Sequence, residues 1–166
     1  LRATGAPGEV VRWAPGGAEF LQATAAGFGA PVKVPLGDVP IRCPVARAQP
    51  SGAGVVVAQV DHGIAFAVRD PGGAWGPVQT IAEPLYDDLE DAVAVVNSRG
   101  DAVVAWTDLS DDAHDRDTAR VLVMRRPAGG TFGPPLELQK PTPYRLDSPR
   151  VELGVQDDGT VLALCH

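Results

Sequence analysis

A short glycine-led run of β-branched residues recurs along the chain and constrains the fold more than any other feature. The runs read GEVVRW, GAGVVVA, GDAVVAW and GTVLAL, and they begin at Gly8, Gly52, Gly100 and Gly159. The intervals between them are 44, 48 and 59 residues. Intervals of this length are typical of folds built from stacked copies of one supersecondary unit.

A second series, in which a glycine turn precedes an aromatic residue, advances almost in step with the first. RDPGGAWGPVQTI contains Trp75, and the blurred copies TAAGFGAPVKV and RPAGGTFGPPLEL contain Phe28 and Phe132. Glycine readily takes the positive φ that a tight turn between strands needs, and the aromatic then begins the next strand. We therefore expect Trp75 to be largely buried over its own turn.

Together, the two series predict a unit of four short antiparallel strands. Four strands in 45 to 60 residues match a propeller blade, so the predicted fold class is all-β, with four-stranded antiparallel propeller-like blades in about three and a quarter repeats. The chain is predicted to be a single β-propeller-like domain or fragment over 1–166, with units at about 1–35, 36–82, 83–139 and, in part, 140–166. One such sheet cannot bury both faces alone, so neighbours must stack on it. Strands are expected near Val55–Gln59, Ile64–Arg69, Val93–Val96, Ala102–Trp106 and Val121–Arg125.

Local propensity favours helix in two segments. PLYDDLEDAVAVV places Leu85, Leu89 and Val93 at helical spacing, and SDDAHDRDTARVLVM reads as a helix capped by Ser110. Gly and Pro are also absent from Asp101 to Arg126. The alignment of the recurring units assigns strands to both segments, and we follow the alignment.

The turn at Asp70 resembles a known motif. DPGGAW has the D-x-G-x-x-W core of the Asp box of sialidase-like propellers, where the turn also joins the third and fourth strands of a blade. IRCP is similar to the F/Y-R-I-P motif of that family, so the resemblance makes Arg42 the counterpart of an arginine that binds the substrate carboxylate. Over nearly its whole length the chain resembles degenerate Asp-box-like propeller repeats of secreted bacterial proteins.

This resemblance implies a function and a location. The leading interpretation is a non-catalytic binding or scaffold module of an extracytoplasmic propeller protein, secreted or at the cell surface. The alternative is a divergent sialidase-like glycoside hydrolase fragment, in which Arg42 is the one site residue carried over. An enzyme needs an arginine cluster and converging carboxylates at the centre of one face, whereas a module needs only a shaped surface.

Composition narrows the range of partners. The net charge of −7 argues against nucleic acid and anionic membrane surfaces, and no apolar run is long enough to span a bilayer. A carbohydrate or protein ligand fits, as do further blades from the same or another chain, because three and a quarter blades do not close comfortably into a ring. The chain begins at Leu1 without a signal-peptide pattern, so we expect a processed chain or a piece of a longer one.

The two cysteines give no metal-binding pattern. Cys43 and Cys165 lie 122 residues apart and have no CxxC spacing. The sequence leaves open whether they are two buried thiols or one disulfide, because it does not fix the distance between their Cα atoms.

Strand parity assigns the variable loops to one face of the molecule. Ala82–Glu90 and Thr107–Ala119 are expected to emerge together, opposite the paired-glycine turns. Variable loops on a rigid scaffold are where binding usually occurs. From these loops, the next inter-blade loop and the IRCP motif we select candidate ligand-binding residues: Arg42, Tyr86, Asp87, Asp88 and Tyr144.

The segment TDLSDDAHDRD concentrates carboxylates that are candidate metal ligands. They are Asp108, Asp111, Asp112, Asp115 and Asp117. Ca²⁺ takes roughly six to eight oxygen ligands, so Ca²⁺ is the one cofactor that this segment suggests. A carboxylate pair for glycoside hydrolysis, a patch that steers a cationic partner and a solvated loop are the alternatives.

Calcium titration tests the metal hypothesis directly. If these carboxylates bind Ca²⁺ in the native state only, the melting temperature rises in millimolar Ca²⁺ and falls when a chelator is added, because a ligand of the native state stabilises it. The measurement is differential scanning calorimetry with Mg²⁺ as the matched control. A melting temperature that is indifferent to both Ca²⁺ and chelator would remove the metal hypothesis.

Overall fold

The computed structural model shows an all-β protein whose strands pair antiparallel, with no helix among the residues that it describes. Those residues are 2–3, 9–14, 17–24, 27–28, 30, 32–34, 36, 42–60, 63–81, 90–112, 116–143 and 150–165. They form fifteen strands in four sheets, and within this described part no sheet closes on itself.

The first sheet contains the five N-terminal strands. Its strands are β1 (Arg2–Ala3), β2 (Glu9–Ala14), β3 (Gly17–Thr24), β4 (Gly27–Phe28) and β5 (Val32–Lys33). The first four pair in chain order, and β5 also pairs with β3.

The second and third sheets share one construction, in which four strands pair in chain order. The second contains β6 (Arg42–Ala48), β7 (Gly54–Val60), β8 (Gly63–Arg69) and β9 (Gln79–Ile81). The third contains β10 (Glu90–Val96), β11 (Ala102–Asp112), β12 (Arg116–Arg126) and β13 (Leu136–Pro143). A hairpin follows, made of β14 (Val151–Val155) and β15 (Val161–Cys165). The five strands predicted from the sequence are confirmed as β7, β8, β10, β11 and β12.

The prediction of a loop over Thr107–Ala119 is wrong, and so is the helix that local propensity favours there. The β11–β12 pairing continues without a break from Ala102↔Arg126 to Asp112↔Arg116, so Ser110 lies within a strand. A segment without Gly or Pro has nothing to interrupt a ladder of backbone hydrogen bonds. The same absence that suggested a helix therefore permits a long hairpin.

A common turn precedes the second strand of the second and third sheets and of the hairpin. The turns span 49–53, 97–101 and 156–160. In each, the first amide donates to the fifth carbonyl and the glycine amide donates back to the first carbonyl, at 2.8 to 3.2 Å. The glycine φ values are +89° at Gly52, +95° at Gly100 and +87° at Gly159. Only glycine adopts these angles without strain, which explains the first recurring pattern of the sequence.

The paired-glycine turns also match each other. Gly73 donates to the Asp70 carbonyl at 3.0 Å, and Gly130 donates to the Pro127 carbonyl at 2.9 Å. Gly72 and its counterpart in the third sheet both have a φ of +67°. Each turn then leads into its aromatic residue, so the second sequence pattern also corresponds to one local geometry.

The second and third sheets pack face to face and share the largest apolar core. Val55 and Val57 of β7 contact the core that contains Val104 and Trp106 of β11. Phe132 joins this core and meets the ring of Phe66 edge to face, with 4.8 Å between ring centroids. Edge-to-face pairs of this kind add about 0.5–1.5 kcal/mol to the stabilisation from burial.

The opposite faces of both sheets are also covered. Val56 and Ala58 of β7 lie in a second core with Val34 and Leu36. On the far side of the third sheet, the β14–β15 hairpin packs against Val103 and Ala105 of β11 through a third core. A strand buried on both faces has the near-continuous apolar sequence seen in VVVA and AVVA.

Trp75 agrees with its prediction, since most of its surface is buried, although it is not fully enclosed. It packs at the margin of the second core, and the Arg69 guanidinium lies 5.3 Å from its ring centroid. Its ring lies against Gly54 of β7, where an added Cβ would be 3.1 Å from Trp75 Cη2. Trp106 is only 1% exposed and is more deeply buried than Trp75.

Substitution of Gly100 tests whether its turn is fixed by contact as well as by φ. A methyl group at Gly100 would lie 3.0 Å from Pro71 Cδ and 3.1 Å from Asp70 Oδ1, whereas one at Gly129 would meet nothing within 4 Å. We expect Gly129→Ala to lower the free energy of unfolding by about 1–2 kcal/mol through φ alone. Gly100→Ala should cost more, because it also displaces the neighbouring turn. Urea denaturation measures both, and equal losses would contradict the contact.

Candidate functional site

The predicted ligand-binding residues fall largely outside the described part of the chain. Arg42 begins β6, where its backbone pairs with Gln59, but its side chain is not among those described. Tyr86, Asp87, Asp88 and Tyr144 lie outside the described residues. Their roles therefore stay predictions from the sequence.

The described candidate metal ligands lie along the long hairpin formed by β11 and β12. Asp111 and Asp112 lie on β11 and Asp117 lies on β12, with Asp111 opposite Asp117 in the register. Asp115 lies outside the described residues. Glu90 pairs with Thr107, so the start of β10 lies beside the half of the β11–β12 hairpin that contains these aspartates. The paired-glycine turn of the third sheet follows Arg126, at the opposite end of β12.

Asp108 is the one metal candidate whose side chain is described, and it is buried against an arginine. Arg120 donates from both Nε and Nη2 to Asp108 Oδ2, at 2.7 and 2.6 Å. Asp108 Oδ1 is buried without a hydrogen-bond partner among the described atoms, and so is Nε1 of Trp106 two residues earlier. Only Oδ1 is left for a further ligand. Within the described residues, no three His, Cys, Asp or Glu side chains gather into a group that could hold a metal ion.

A polar network at the turn end of the sheets joins turns that are distant in sequence. Arg126 donates from Nη1 and Nη2 to the two carboxylate oxygens of Asp70, at 2.8 and 2.9 Å, and also to the Gly100 carbonyl. Asp101 accepts from Asn97, Arg99 and the Ala128 amide. The network therefore ties the paired-glycine turn of the second sheet to both described turns of the third.

The same kind of link recurs between successive turns. Gln49 Nε2 donates to the Val96 carbonyl at 2.7 Å, and Asn97 Nδ2 donates to the Gln156 carbonyl at 2.8 Å. Gln49 and Asn97 are the first residues of equivalent turns, so each reaches the turn region of the sheet that follows. Ser98 adds two bonds to Asp157, at 3.1 and 2.7 Å.

These contacts keep the carboxylates ionised. Hydrogen bonds from Arg126 hold the pKa of Asp70 below its ordinary value, against the opposing effect of partial burial. Burial raises the pKa of Asp101, but hydrogen bonds from Asn97, Ala128 and Arg99 outweigh burial, so this pKa is also lowered. Asp70 and Asp101 therefore bind groups of the protein itself, and the bonds of Asp70 connect the second sheet to the third.

An open groove lies on the far face of the third sheet, beside the β14–β15 hairpin. Its volume is about 520 Å³. The floor is formed by Val103, Val123 and Arg125 with Leu136 and Leu138 of β13, and the wall by β15 and the turn before it. Leu136 is 63% exposed and Leu138 is 44% exposed.

The groove lies beside the part of the third sheet that the described β14–β15 hairpin covers. β14 packs against β10 and β11, and the third core also includes Val121 and Val123 of β12, whereas Leu136 and Leu138 of β13 are exposed. The other face of the third sheet packs against the second sheet. There β8 and β9 also contribute apolar contacts, such as that of Phe66 with Phe132. Apolar side chains of β13 are left facing solvent, an arrangement that commonly marks an interaction surface.

Arg125 is the charged group at the turn end of the groove. Its guanidinium lies against Gly159, where an added Cβ would be 2.7 Å from Arg125 Nη2. The described part of the chain gives Arg125 no ion pair. Arg99 also reaches Gly159, but it pairs with Asp101, and Asp158 on the same turn accepts the Thr160 amide at 2.7 Å.

Two features of the sequence are consistent with the groove, but its residues were not among the predicted ligand-binding residues. GPPLELQ alternates leucine with polar residues, so Leu136 and Leu138 share one face. The described part of the last recurring unit consists of the two strands β14 and β15. Neither signal shows by itself that the two features meet at one place in the fold.

Comparison with known protein families, curated proteins and solved structures finds no match to this chain. Within the described residues, no helix is long and apolar enough to cross a membrane. Cys165 is a free thiol, so the disulfide with Cys43 that the sequence left open is not formed.

The Asp70–Arg126 pair predicts a specific pH dependence of stability. Because the pKa of Asp70 is lowered in the folded state, its contribution is present above its ordinary pKa near 3.8 and is lost as the pH falls through the lower folded value. A double-mutant cycle with Asp70→Asn and Arg126→Gln should give a coupling free energy of about 0.5–1 kcal/mol at pH 7, since Asp70 is 44% exposed. Chemical denaturation at pH 7 and pH 3 measures it, and a coupling that is unchanged at pH 3 would contradict the ion pair.

Proposed function

We propose that this chain is a non-catalytic binding module built on stacked propeller-like blades, and that the groove beside β15 is its ligand-binding surface. The observation that carries the proposal is the groove itself, in which exposed leucines and an arginine without an ionic partner in the described part of the chain lie on the third sheet. Concave, mostly apolar sites with a few placed polar groups are the usual form of binding sites.

The blade-like scaffold is supported by what the second and third sheets have in common. They share strand order, turn geometry and the links from each turn to the next sheet. Their faces also alternate in the same way. Val55 and Val57 face the following layer, as Val103 and Ala105 do one sheet later.

The lining of the groove favours a protein ligand over a carbohydrate. Its floor consists of aliphatic side chains, and no described aromatic ring lines it. Sugar rings are commonly recognised by stacking on aromatic faces, whereas exposed aliphatic patches commonly mark protein interfaces. The alternative, a divergent sialidase-like hydrolase, depends on Arg42 and stays a prediction from the sequence, as do the secreted or cell-surface location and bound Ca²⁺.

Selection from a random peptide library tests the groove as a binding surface. We expect wild-type protein to enrich peptides with apolar residues, and the double variant Leu136→Lys/Leu138→Lys to lose their binding at least tenfold, because charges would replace the apolar floor. Leu162→Lys/Leu164→Lys is the matched control, since these leucines are equally exposed, at 57% and 58%, on the opposite face of the hairpin.

Isothermal titration measures the affinities, and circular dichroism checks the fold of each variant. Peptides that bind wild type and both double variants equally would place binding elsewhere. A glycan array probed with the same three proteins covers the carbohydrate alternative, which gains support if a glycan signal is lost only in the groove variant.

A further inference from the structure

We draw no further inference here: the strongest candidate, the side-chain cluster in which the buried Trp106 and Asp108 of β11 lie near Arg120 of β12, leaves only Trp106 Nε1 and Asp108 Oδ1 without hydrogen-bond partners among the described atoms, and nothing in the described part of the chain shows what would bind there.

Discussion

The need to bury both apolar faces of the second and third sheets governs the described architecture of this chain. β7 contributes Val55 and Val57 to one core and Val56 and Ala58 to another, so neither face can be left to water. Burial stabilises by about 25 cal/mol per Å² of apolar surface, and a single fully buried valine contributes about 1.5 kcal/mol or more. The second and third sheets are therefore stabilised by apolar neighbours on both faces, whereas apolar side chains outside these cores, such as Leu136, are exposed.

Polar contacts then set how the layers are aligned. Apolar faces attract each other without strong directional preference, whereas the Asp70–Arg126 pair and the amides of Gln49 and Asn97 require particular turns to meet. These bonds all lie at one end of the sheets. Their energetic contribution is modest, but together they define which turn lies against which and so fix the alignment of successive sheets.

The sequence predicted the strands well because glycine at positive φ is a local requirement that leaves a visible mark. Gly52, Gly100 and Gly159 occupy the same place in the same turn, and the apolar runs after them become second strands. The prediction failed at Thr107–Ala119, where a polar composition suggested a loop although pairing with an adjacent strand was available. Composition alone does not distinguish a polar hairpin from a polar loop.

The site was harder to predict because it depends on contacts between distant segments. Asp108 was selected as a metal ligand from its acidic neighbours, but the fold places it opposite Arg120 in a register that spacing alone does not give. The groove combines β13, β15 and the turn before β15. It forms where segments distant in the sequence meet, and no local pattern encodes such a meeting.

The order of the layers has a consequence for how the chain reaches its native state. The second sheet packs against the third, and the third packs against the hairpin, so each of these interfaces joins segments that are consecutive in the sequence. Each layer can therefore form on the one before it, without waiting for a distant end of the chain. Loop-closure entropy is then lost in small steps, which favours rapid acquisition of structure for an all-β topology. During synthesis, every finished sheet would offer the next one a ready surface as it leaves the ribosome.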